Sequence, residues 1–110
     1  MTGRGGVRIA LVTAPEDAAE DLARSLVEDR IAACVNVVPG IRSVYRWEGQ
    51  VETATESLLV LKVAAAGSES VPARVAKLHP YDLPEVLLLD VDDGLPEYLA
   101  WVVNATATAS

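Results

Sequence analysis

The residues best suited to chemistry cluster in one short stretch, His79 to Glu85, which reads HPYDLPE. Two prolines there hold a His, a Tyr and two carboxylates in a stiff connection. Loops this rigid serve either turn geometry or a site. Imidazole with carboxylate oxygen suits Cu(II), so His79, Asp82 and Glu85 form the candidate divalent-metal set, with Tyr81 beside them. Coordination requires neutral imidazole, so affinity should fall as pH drops below the His pKa, ordinarily about 6.5. His79 is the only histidine. A single His makes a sparse metal site unless water or a symmetry-related subunit adds ligands. The competing role is structural: a His at a helix end can bond the last carbonyls and complement the helix dipole.

Cys34 is the softest ligand in the chain and would prefer Cu(I). The competing reading is a small buried hydrophobe, the usual fate of a free Cys. Tyr45, Arg46 and Trp47 stand together before Glu48-Gly49. They could line a ligand cleft between subunits, with Tyr81 as a further member, or simply anchor an interface, for which Trp, Tyr and Arg are the enriched types. No catalytic constellation is present. The one His has no nucleophile partner, and neither GxGxxG nor a Walker loop occurs. The chain reads as a non-enzyme without an organic cofactor.

These residues must be positioned by a long hairpin. Val35, Val37, Val38, Ile41, Val44, Tyr45 and Trp47 are β-formers. Glu48-Gly49 is the turn, since Gly accepts positive φ, and Val51 to Val63 returns. Arms of about a dozen residues exceed the usual ~5–6 of a strand. The hairpin therefore reaches past its own core and builds a subunit interface. Pro39-Gly40 makes the first arm an edge strand or a bulged one.

The rest of the chain supports that hairpin. Val7 to Thr13 is apolar on both faces, as a central strand is. Thr13-Ala14-Pro15-Glu16 is a helix start with Thr13 and Glu16 as a capping box. Ala18, Leu22 and Leu26 recur with Ala19, Ala23 and Val27, which makes an amphipathic helix to about Asp29. After Gly67, Ser68 is the candidate cap of a second helix with Val71, Val75 and Leu78 on one stripe. That helix ends near His79 because Pro80 follows. Glu85 to Val91 is a short apolar strand. Asp93 caps a last helix with Pro96 in its first turn and Leu95, Leu99 and Val102 or Val103 inward. Residues 1–6 and 105–110 read as mobile tails. The order β-α-β-β-α-β plus a helix is the split βαβ, ferredoxin-like pattern of the α+β class. It puts the first strand in the middle between the fourth and third, and the proline-bearing second strand at the edge. It also sends Cys34 and His79 to opposite ends of the sheet.

Composition sets the outer bounds. The 110 residues make one domain, spanning 1–110, and carry formal charge −7 from 16 acidic and 9 basic residues. That balance argues against nucleic-acid binding, which needs a cationic face. The single Cys excludes an internal disulfide and fits a reducing compartment. No apolar run approaches the ~20 residues of a membrane span, and the N-terminus lacks a signal-peptide core. The expectation is a cytoplasmic protein with no membrane partner.

Three stretches carry a family resemblance: AACVNVVPGIRSVYRWEG, ESLLVLK and LHPYDLPEVLLLDVDDGLPEYLAWV. The chain resembles the CutA divalent-cation tolerance family from Val7 to Trp101. It departs at Lys62-Val63, where that family more often has Lys-Thr, and in the Ala- and Ser-rich loop of residues 64–70. The resemblance implies a ferredoxin-like subunit in a tight homotrimer, with long bent hairpins wrapping neighbours. It also implies a link to tolerance of copper and other divalent metals, and an assembly similar to the PII signalling trimers. No reaction follows from it.

Overall fold

The computed structural model describes residues 5–107. In chain order these form β1 (Val7–Ala14), α1 (Glu16–Glu28), β2 (Cys34–Trp47), β3 (Gln50–Ala64), a 3-10 turn (Ser68–Ser70), α2 (Val71–Leu78), β4 (Val86–Asp90) and α3 (Pro96–Thr106). The four strands make one antiparallel sheet in the order β2-β3-β1-β4. This is the expected ferredoxin-like α+β arrangement, with β1 inside and the proline-bearing β2 at an edge.

Alternation along the strands decides which face is covered. Ala10, Val12 and Ala14 of β1 and Leu59, Leu61 and Val63 of β3 are buried in one cluster with Leu22 and Leu26 of α1 and Val71 and Val75 of α2. Burying a Leu or Val side chain contributes roughly 1.5–3 kcal/mol, so this layer accounts for most of the hydrophobic stabilisation. Among the described residues, the opposite face has no such cover over its middle. Leu87 and Leu89 of β4, which pair with Leu11 and Ile9, are 55% and 46% exposed. A second, smaller core of Val7, Ala33 and Val102 ties α3 to the starts of β1 and β2.

The hairpin projects beyond this body. β1 pairs with only Ser57 to Ala64 of β3, so among the described residues Gln50 to Glu56 has β2 on one side and no strand on the other. Fourteen residues at about 3.3 Å each span about 46 Å, and the longest dimension of the molecule is 44 Å. The hairpin is what makes the molecule long. Its turn carries φ of 50° at Glu48 and 79° at Gly49. Two successive positive φ values are the type I′ turn that matches strand twist. Pro39 and Gly40 together oppose the single residue Ser57, a bulge, and Gly40 takes the positive φ of 76° that the kink needs.

Several local expectations change. Thr13 stays in β1 and is buried, so the N-cap of α1 falls to Pro15, with no side-chain cap bond. The capping box loses to strand pairing. Ser68 is buried and accepts from Arg8 Nη1 at 3.2 Å, so it is a tertiary contact and not a cap. Asp93 accepts from the N–H of Gly94, and the α3 cap position falls to Leu95, which is 65% exposed and not inward. Of the pair left open, Val102 is the buried one. α3 continues through Thr106, where a mobile tail was expected from 105. Thr106 Oγ1 bonds the Val102 carbonyl at 3.0 Å, and Arg30 Nη1 reaches the Ala105 carbonyl at 3.3 Å. The remaining tail residues, 1–4 and 108–110, lie outside the described residues.

Candidate functional site

α2 must stop before Pro80, and His79 takes the C-cap position with φ −81° and ψ 141°, its N–H bonded to the Val75 carbonyl at 3.0 Å. The extended backbone swings the imidazole inward, where it is 8% exposed. Nε2 lies 2.7 Å from the carbonyl oxygen of Thr13 at the end of β1. Nδ1 accepts the N–H of Tyr81 at 3.0 Å. A carbonyl only accepts, so these two bonds fix the neutral tautomer with the proton on Nε2. The ring thus fastens the 80–85 loop to β1, and does not bond the last helix carbonyls as a simple cap would. Both nitrogens are engaged, so metal coordination at Nδ1 requires the Tyr81 amide to let go.

The same loop sends Tyr81 back over the sheet. Its ring sits 4.9 Å from the imidazole, and its hydroxyl donates to Glu56 Oε2 at 2.9 Å. Glu56 is only 7% exposed and faces Ile41, the first residue after the bulge. Burial pushes the Tyr81 phenol up to about 12, with the hydrogen bond to Glu56 and the charge of Glu56 adding to it. The phenol therefore stays neutral and donating across the ordinary pH range.

Between loop, β1 end and hairpin lies an open cavity of about 860 Å³. Asp82, Leu83, Pro84 and Glu85 form one wall, Tyr45 and Trp47 another, and Thr13, Glu56 and Tyr81 the floor. The structure thus brings Asp82, Glu85, Tyr81, Tyr45 and Trp47 together. It leaves Arg46 out: Arg46 follows Tyr45 by one residue, so the pleat turns it to the other side of the hairpin. Cys34 is elsewhere. It pairs with Lys62, which pairs with Ile9, whereas Thr13 pairs with Leu58. Four residues of strand, about 13 Å, separate the two ends. The thiol is half-buried, with Lys62 Nζ 3.6 Å from Sγ. Nearby Tyr98 is raised mainly by burial, with Cys34 adding a smaller push.

Glu56 and Thr13 are the site residues that sequence reasoning missed. Thr13 was spent on a helix cap. Glu56 sits where polar β3 turns apolar before Leu58, and that step was its only signal. Among the described residues, no group of three or more His, Cys, Asp or Glu side chains converges to hold a metal ion. No helix among them is long and apolar enough to cross a membrane.

Comparison with known proteins identifies the surroundings of this site. Residues 8–105 match the family model described as CutA1 divalent ion tolerance protein. The chain is 44% identical over 99 residues to the divalent-cation tolerance protein CutA of Thermus thermophilus, covering 89% of this chain and 96% of that one. It spans between 54% and 66% of the length of the longer vertebrate and plant relatives that it also matches. The crystal structure of CutA from Xylella fastidiosa superposes with a TM-score of 0.88 at 41% identity, over 93% of this chain and 99% of that one. The PII-like protein CutA from Nostoc sp. PCC 7120, in apo form, superposes with a TM-score of 0.85 at 41% identity, over 91% and 97%.

Proposed function

The chain belongs to the CutA1 divalent ion tolerance family, and from that premise we propose that it acts, without catalysing a reaction, as a homotrimeric divalent-cation tolerance protein. The observation that carries the oligomer is the uncovered surface. The projecting segment of residues 50–56 has a free edge, Val44 and Val51 beside the tip are 68% and 66% exposed, and Leu87 and Leu89 face outward from the sheet. Unpaired edges and apolar faces of this kind invite partners. A symmetric closed assembly of identical chains covers them at no cost in new sequence. Light scattering coupled to gel filtration tests this: three times the subunit mass is expected, and a monomer at micromolar concentration refutes it.

The metal reading takes Asp82 and Glu85 as oxygen donors and His79 Nδ1 as the nitrogen donor for a divalent ion such as copper(II). Each oxygen donor lies at the cavity wall, and the imidazole is already neutral. Freeing Nδ1 forfeits one hydrogen bond, about 0.5–1.5 kcal/mol net. These three donors do not converge on one point among the described residues of one chain, so the reading requires the loop to adjust and water or a neighbouring copy to complete the set. Weak to moderate affinity follows. Calorimetric copper(II) titration of the parent and of Asp82→Asn with Glu85→Gln decides it, and equal binding by both refutes it. We place the protein in the cytoplasm on the strength of its one unpaired thiol, which an oxidising compartment would leave exposed to exchange. Detection of the protein in the soluble fraction after gentle lysis, and not after osmotic shock, checks this.

A second reading, as a PII-like module that binds a small molecule, is favoured by the cavity itself. Its volume lies within the ~300–1,000 Å³ common for such ligands.

A further inference from the structure

We propose that the cavity beside Tyr81 seats a second copy of this chain, which presents Arg42 and Arg46 from the back of its own hairpin. The proposal rests on the homotrimer reading and names the contact between neighbours. The hairpin has two faces, and residues paired across it share one. Tyr45 pairs with Glu52 and Ile41 with Glu56, on the side that lines the cavity. Arg42 pairs with Thr55, Val44 with Thr53 and Arg46 with Val51, on the other side. The cavity side is acidic: Asp82 and Glu85 join Glu56 in the lining, and among the described residues no Lys or Arg does. The back is basic and apolar. Two exposed arginines stand either side of Val44, and neither has an ion-pair or hydrogen-bond partner among the described residues of its own chain.

Charge complementarity selects a second copy as the occupant, because both halves of the contact belong to every chain. One chain cannot close the contact on itself, since its arginines and Glu56 lie on opposite faces of the hairpin. A two-fold pair would set back against back, basic against basic, or cavity against cavity, acidic against acidic. Back against cavity is a head-to-tail contact: each copy gives its back to one neighbour and its cavity to the next, and the ring closes. The lining suits guanidinium in particular. Tyr45, Trp47 and Tyr81 offer aromatic faces on which a planar guanidinium stacks, while the carboxylates take its N–H groups. Leu83, 72% exposed on the opposite wall, gives Val44 and Val51 of the neighbour an apolar surface to cover. The contact also brings positive charge toward Glu56, a carboxylate 7% exposed whose partner within the chain is the Tyr81 hydroxyl.

The test exchanges the charges, using the full chain with a chelator present so that no metal occupies Asp82 or Glu85. Arg42→Glu with Arg46→Glu reverses the back, and Asp82→Lys with Glu85→Lys reverses the cavity side. All four positions are exposed, so the subunit fold tolerates them. At one fixed subunit concentration, each double variant should lose its assembly, followed by light scattering, at a temperature lower by about 5 °C or more. The quadruple variant, with both sides exchanged, should return to within about 2 °C of the parent. A second measurement does not depend on stability. Arg46→Lys, treated with a carbodiimide that joins an amine to a touching carboxylate, should give covalent dimers and trimers in which position 46 of one chain is linked to Glu52, Glu56, Asp82 or Glu85 of another. Double variants that melt like the parent, a quadruple variant no better than the doubles, or interchain links from position 46 that reach none of these four carboxylates each overturn the proposal. With a trimeric parent, any of those results leaves the homotrimer reading standing; a monomeric parent refutes that reading and the proposal with it.

Discussion

His79→Ala separates a structural histidine from a metal-binding one. The substitution removes a donor from the Thr13 carbonyl at 2.7 Å and an acceptor from the Tyr81 N–H at 3.0 Å. Thr13 is 9% exposed, so its carbonyl is left without easy access to water. An orphaned buried group costs about 1–3 kcal/mol, and the Tyr81 amide, less buried, adds less. Loss of the ring packed 4.9 Å from Tyr81 adds to this. The expected destabilisation is about 2–4 kcal/mol. With a urea m-value of ~2 kcal/mol/M, the unfolding midpoint falls by about 1–2 M. Parent and variant are compared at the same subunit concentration, because assembly contributes to apparent stability. His79→Gln should recover part of the loss, since its amide offers one donor and one acceptor for the same two partners. A variant within about 0.5 kcal/mol of the parent refutes the fastening role. If such a variant also loses copper(II), the imidazole serves the metal and the two bonds are incidental.

Three further outcomes are expected. In a spectrophotometric titration Tyr81 should ionise only near pH 12. A raised folded-state value means its stabilisation is complete below the unfolded value near 10 and is lost as pH rises toward 12. Glu56→Gln should bring the transition down, while an unmoved transition would leave burial as the sole cause. Cys34→Ala should keep the assembly and the parent's copper(II) affinity, because Cys34 and His79 sit at opposite ends of the sheet; loss of copper binding in calorimetry contradicts that placement. Deleting Gly40 should turn the outer hairpin over by one residue, exchanging the faces of Tyr45 and Arg46 and changing the surroundings of Trp47; unchanged Trp47 emission in a Trp101→Phe background would show that the bulge does not set the face.

The fold was legible because independent features agreed. Two-sided apolarity set Val7–Thr13 inside the sheet, and Pro39 set its strand at the edge. Opposite ends for Cys34 and His79 followed from topology alone. The helix starts were less legible. Thr13, Ser68 and Asp93 all have cap chemistry, yet Thr13 remains in a strand, Ser68 meets Arg8 across the chain, and Asp93 bonds Gly94. In each case a tertiary or turn contact outcompetes a local cap that is typically worth ~1 kcal/mol. α3 outran its apolar stripe because Arg30 and Thr106 tie down its last turn. Within the site, the 79–85 loop announced itself by its prolines. Glu56 did not, since nothing local says that a strand carboxylate will meet a phenol 25 positions away.

The bulge explains why that partnership exists. On strict alternation, the face bearing Cys34, Asn36 and Val38 would continue through Gly40, Arg42, Val44 and Arg46. Pairing shows the opposite: after Pro39 and Gly40 meet the lone Ser57, Ile41 faces Glu56 and Tyr45 faces Glu52. One extra residue moves the whole outer strand by half a pleat period. It brings Ser43, Tyr45 and Trp47 round to the side where Thr13 and the 80–85 loop lie, and it carries both arginines away. Without the shift, Arg42 and Arg46 would stand on the Glu56 face of the hairpin, Arg42 opposite Ala54. With it, the acidic and aromatic groups line one cavity, and among the described residues no Lys or Arg lines it. The proline that marks an edge strand in the sequence is thus part of the device that sets the charge of the site.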